Sequence, residues 1–128
     1  MLGVWLAACS GKRQESDEQQ RIAAAIDAIQ AVPAEDASGR AELADALAKV
    51  DVKTPAAVKA RDACAGAYRA MAKSTRLIDE ASAGLAASSH ADPARTIQAA
   101  KEAVAAEKAA EDAMETCSDA RAALLLRP

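Results

Sequence analysis

The chain has 128 residues, enough for one domain, and 38 of them are Ala; Phe is absent, and Trp5 and Tyr68 are its only large aromatics. So much of the best helix former, with so few β-branched and aromatic residues, excludes a β-sandwich, a barrel or a Rossmann domain. Charged residues make up 27%, mixed in sign, and the net charge is −3 with a pI near 5.2, which argues against both a disordered tail and a nucleic-acid footprint.

Residues Leu2 to Ala8 form a short uncharged apolar run, far too short to span a bilayer. The run ends in Leu6-Ala7-Ala8-Cys9, followed by Ser10. This sequence resembles the lipobox of bacterial lipoproteins. The resemblance covers residues 2–10 and implies that the Cys9 thiol carries a diacylglyceryl group. It also implies cleavage between Ala8 and Cys9 and acylation of the new amine. Several acyl chains on one residue, such as palmitate, anchor stably where one chain binds marginally. Ser10 stands where Asp would retain a lipoprotein in the inner membrane, so the resemblance implies outer-membrane sorting, facing the periplasm, in a Gram-negative host. No Lys or Arg precedes the run, which is simplest if translation starts upstream and Met1 is internal. The other reading is a frayed apolar N-terminus with a buried Cys. The lipobox resemblance divides the chain into a signal peptide at residues 1–8, the lipidated Cys with a polar tether at 9–16, and the bundle domain at 17–128. The polar stretch continues to Gln20, with nothing apolar to fold around.

Four helices can be read in order. The first opens at Ser16 with Gln19 as a capping box and carries Ile22, Ile26 and Ile29 to a stop near Val32-Pro33. Asp36 or Ser38 caps the second, which carries Leu43, Leu47 and Val50 and ends around 51–53. Thr54-Pro55 opens the third, which runs to Ser89, and Asp92-Pro93 opens the fourth, which runs to about Leu126. The last two are rods of about 50 Å joined by a tight link, hence an antiparallel helical hairpin. The expected fold is an all-α, Ala-rich antiparallel bundle built on this hairpin (about 55–89 and 93–126). Both short helices should lie along it, since no other large apolar partner exists. The third helix offers a coiled-coil seam of Cys64, Tyr68, Met71, Thr75, Ile78, Ser82 and Leu85. The fourth offers Ile97, Val104, Met114, Cys117 and Leu124, with Ala between.

If Cys9 is lipidated, two Cys remain, an even number that suits an exported protein. Cys64 and Cys117 are equally distant from the turn at His90-Ala91, so they stand at one height on adjacent rods. A disulfide there would close a loop of about 54 residues, worth roughly 4 kcal/mol in the chain-entropy model. The competing reading is two independent core cysteines. No Cys-x-x-Cys spacing supports a redox pair.

No catalytic, cofactor or metal site can be assembled. His90 is alone and in a turn, and Ser88 and Ser89 beside it have no G-x-S-x-G elbow. There is no haem attachment motif, no Walker A loop, and no Glu-x-x-His pair for a di-metal bundle. Glu107, Glu111, Glu115 and Asp119 make an acidic ridge on the fourth helix, read as a solvated face with Lys108–Asp112 pairing or else a dock for a basic partner. Arg69, Lys73 and Arg76 read as an exposed basic face. The expectation is a non-enzymatic, membrane-anchored structural or protein-interaction module of the cell envelope, with an unidentified envelope protein as partner. The alternative is a periplasmic bundle that binds a small ligand, ion or inhibitor target. A closed Ala-lined core favours the first, and a pocket with convergent polar groups the second.

Overall fold

The computed structural model describes residues 2–87 and 92–126, with side chains from Arg13 onward. It contains four helices: α1 (Leu2–Ala31), α2 (Ala37–Ala48), α3 (Pro55–Ala86) and α4 (Pro93–Leu125), with no strand among the described residues. They pack as a helical bundle. α3 is the hub, touching α1, α2 and α4; α1 and α2 also pack on each other. α1, at 30 residues, is not the shorter helix expected, but both N-terminal helices lie on α3, with Ile22, Ile26, Ile29 and Leu47 buried there together with Val52 and Tyr68.

The start signals hold at three helices and fail at one: α3 begins at Pro55 after Thr54, as expected, and the other two carry side-chain caps. Asp36 caps α2 by accepting from Gly39 N–H at 3.0 Å, and Asp92 caps α4 by accepting from Ala94 N–H at 3.0 Å. Ser16 does not start α1, which runs through it unbroken, so the Ser16/Gln19 capping box is not formed. The segment read as tether is helical too. Its Gln, Glu, Lys and Arg residues are good helix formers, and a helix already nucleated around the buried Ile residues propagates at little cost. Gln19 instead donates from Nε2 to the Leu124 carbonyl at 2.8 Å, which ties α1 to the end of α4.

The seam between α3 and α4 is also different from the one read off the large side chains. Ile78, Leu85, Ile97 and Val104 are exposed, as is Ser82, and Tyr68 turns toward α1, where Gln30 Nε2 donates to its hydroxyl at 2.9 Å. The buried positions of α4 are Ala103, Ala110, Cys117, Ala120 and Leu124, with Ala106 and Ala113 half-buried. These recur in alternating steps of three and four. On α3 the same rhythm runs through Ala57, Ala60, Cys64, Ala67, Met71 and Ser74. Small residues occupy the heptad positions because they let the axes approach, and a close approach leaves no room for Ile or Val.

Candidate functional site

Two residues past Ser16's expected cap position the chain carries a more consequential residue. Glu18 is 2% exposed and sits one turn before Ile22, on the same stripe as Ile26 and Ile29. α1 thereby aims a carboxylate at the link between α2 and α3. Lys53 N–H donates to its Oε1 at 2.8 Å, the Thr54 hydroxyl to Oε2 at 2.6 Å, and Thr54 N–H to the same oxygen at 3.3 Å. Gln14 Nε2 donates from the preceding turn at 3.4 Å. Thr54 is the N-cap residue of α3, but its hydroxyl is spent on Glu18 and makes no cap hydrogen bond. The carboxylate stands near the positive end of α3 and serves the orphan donors there.

Burial works to raise the Glu18 pKa. The Thr54 hydroxyl, the Lys53 and Thr54 amides and Gln14 outweigh it, and the carboxyl titrates below its ordinary value of 4.5. An acceptor so fully used is a clamp and a poor general base. Arginines complete the link: Arg21 Nη1 donates to the Asp51 carbonyl at 3.0 Å and Arg61 Nη1 to the Val50 carbonyl at 3.1 Å. Val52 between them is buried. The link is only partly covered, with Asp51 and Lys53 exposed, and α1 and α3 supply partners for its backbone groups. Around the clamp lies a hollow of about 400 Å³, open to solvent and lined by Arg13, Asp17, Arg21, Asp51 and Lys53.

Among the residues singled out by sequence, Cys64 and Cys117 are joined as a disulfide with a Cα–Cα distance of 4.6 Å. Both are buried to within 1%. That Cα distance is at the close end for such bridges, as a seam of Ala permits. Cys9 falls within α1, and its side chain lies outside the described residues, as do His90, Ser88 and Ser89. The acidic ridge is exposed along its length. Lys108 and Asp112 do not form the expected ion pair; the pairs among the described residues are Arg61–Asp62, Arg69–Asp45 and Arg76–Glu80. Two of the three expected basic-face residues are therefore engaged, Arg69 at 2.7 Å from Asp45. Lys73 shares a shallow hollow with them and with Ser38 of α2.

Between α3 and α4, Met71, Ser74 and Thr75 meet Glu107, Ala110, Glu111 and Met114 around a surface hollow. Among the described residues no group of His, Cys, Asp and Glu is placed to hold a metal ion, and no helix is long and apolar enough to cross a membrane. Sequence reading missed Glu18 by assigning it to a tether. The signal was there: Glu18, Ile22, Ile26 and Ile29 follow helical steps of four, four and three, and an acid on an apolar stripe asks for buried donors. No family model, no curated protein and no solved structure matches the chain.

Proposed function

We propose that the chain is a lipid-anchored exported protein of the bacterial cell envelope, acting as a non-enzymatic structural or protein-interaction module. In a Gram-negative host it would sit in the outer membrane and face the periplasm. The observation that carries this reading is Leu6-Ala7-Ala8-Cys9-Ser10 at the N-terminus. The disulfide supports it, because such bridges persist in oxidising compartments and are rare in reducing ones. The finer architecture belongs to the same proposal: an antiparallel hairpin of α3 and α4 carrying α1 and α2. Its support is that Cys64 with Cys117, and the Met71–Thr75 turn with the Glu107–Met114 stretch, each centre close to the link between the helices.

Under this reading α1 is a stiff strut. Cys9 and the clamp at Glu18 are nine residues apart on one helix, about 14 Å along its axis. The bundle would thus stand at a fixed short height above the lipid, with its Glu18 end lowest. Intact mass of the protein purified from the membrane fraction tests the proposal. The expected product begins at Cys9 and carries acyl chains, and Cys9→Ala releases the protein from the membrane. A chain that keeps residues 1–8 and is recovered without detergent would overturn it.

A further inference from the structure

α4 rests on α3 with one face, and its opposite face is uncovered. Ile97 and Val104 are 56% and 66% exposed there, in a shallow apolar hollow flanked by Lys101 and Lys108. Farther along, the same face carries Asp112, Glu115 and Asp119, all exposed, and then Ala122 and Leu126. One edge of this face holds a particular pattern. Lys101, Lys108, Asp112 and Asp119 are separated by seven, four and seven residues, so the spacing reads the same in both directions while the charge changes sign at its centre. Residues at these intervals line up along one side of a helix. None of the four is in an ion pair among the described residues, and Lys108 and Asp112 stay apart although four residues separate them.

We propose that this face is the docking surface for a second copy of the chain, α4 against α4 in antiparallel orientation about a two-fold axis. Such an axis presents the same patch from both copies, and the patch must be complementary to itself when reversed. The palindromic spacing with inverted charge meets that condition. Turned end for end, Lys101 of each copy faces Asp119 of the other, and Lys108 faces Asp112. The same register sets Ile97 against Ala122 and Leu126 of the second copy. It gives Ile97, which α3 leaves exposed, an apolar partner, and sets Val104 near Glu115 of the second copy. A parallel pair would stack Lys on Lys and Asp on Asp. A uniformly basic or acidic partner would match one half of the face and repel the other. α1 and α2 pack on α3 and do not compete for this surface.

Sedimentation equilibrium of the full, disulfide-bonded chain tests the proposal. The wild type is expected to show a concentration-dependent monomer–dimer equilibrium that weakens as salt rises from about 0.1 M to about 1 M. K101D/K108D and D112K/D119K should each keep wild-type helicity, since all four positions are exposed, and each should raise the dimer Kd about tenfold or more. Mixed together, the two variants should form a heterodimer at least as tight as the wild-type dimer. A wild type that stays monomeric at every concentration, including one that binds lipid vesicles or another protein through this face, would overturn the proposal. So would variants that dimerise like the wild type, or a mixture that does not reassemble. All chains carry Cys9→Ala in this experiment, so that acyl chains do not drive association and the outcome is independent of whether Cys9 is lipidated.

Discussion

The two ends of the bundle are built on opposite terms. At one end all four helices surround a core of Ile22, Ile26, Ile29, Leu47, Val52 and Tyr68, to which α3 contributes from Ala56 to Met71 and α4 from Ala113 to Leu124. Beyond it α3 and α4 continue as an arm, where the buried residues are Ala81 and Ala103 and the larger Ile78, Leu85, Ile97 and Val104 face solvent. Burying a large side chain removes it from water for about 1.5–3 kcal/mol, and a buried Ala yields far less. Two Ala-lined helices can approach closely, yet they bury little without a third layer. The thick end therefore carries the stability, and the arm borrows it.

The largest expected effect comes from opening the bridge inside the thick end. Cys64–Cys117 fixes α4 to α3, and α4 has little else that is bulky to hold it. The Cys64→Ser/Cys117→Ser variant should lose about 4 kcal/mol of unfolding free energy in urea, the chain-entropy value for a loop of this length. Hydrogen exchange should show the arm (77–86 and 93–106) losing protection first and the α1–α2–α3 core last. A thiol count on the unreduced, denatured wild type checks the premise. Reactive Cys64 and Cys117 would mean that α4 is held to α3 without a staple.

The contrast also decides what could be read in the sequence. Helix number, the Asp36 and Asp92 caps, the pairing of Cys64 with Cys117 and the burial of Ile22, Ile26 and Ile29 follow from local signals: capping chemistry, a matched offset, helical spacing. In the arm, side-chain size is a false guide. Ile97 and Val104 have the size of seam residues, but Ala103 and Ala110 take the seam because only small residues fit between closely packed axes. At the N-terminus a polar run concealed a continuous helix. What makes Glu18 structural is a partner at Lys53-Thr54, 35 positions away in the chain, and no local rule finds a long-range clamp.

Glu18 gives the next largest effect, confined to the thick end. Glu18→Gln keeps the shape but turns an amide NH2 toward backbone donors, and should cost about 1–3 kcal/mol. The pH dependence follows from the lowered pKa. The unfolded chain takes up the proton at a higher pH than the folded one, so the stabilisation is complete above the ordinary value of 4.5 and is lost as pH falls below it. Urea unfolding from neutral pH downward should show this acid limb in the wild type and a shallower one in Glu18→Gln. Parallel limbs would show that other carboxylates govern acid unfolding and that the clamp is energetically silent.

The smallest effect makes the sharpest comparison, because the same substitution can be placed in each region of one helix. Gly66 and Gly84 both lie within α3, and a Cβ added at either would meet nothing within 4 Å. Gly in a helix costs up to about 1 kcal/mol relative to Ala, chiefly through the conformational freedom it loses on folding. Gly66→Ala, level with the core, should raise the global unfolding free energy by about 0.5–1 kcal/mol. Gly84→Ala, near the end of the arm, should leave the urea midpoint where it is and slow amide exchange in residues 80–86. A region that opens before the rest cannot pass its gain to the global transition. Equal shifts in the midpoint from both substitutions would mean that the arm unfolds together with the core, and the two ends would have to be treated as one cooperative unit.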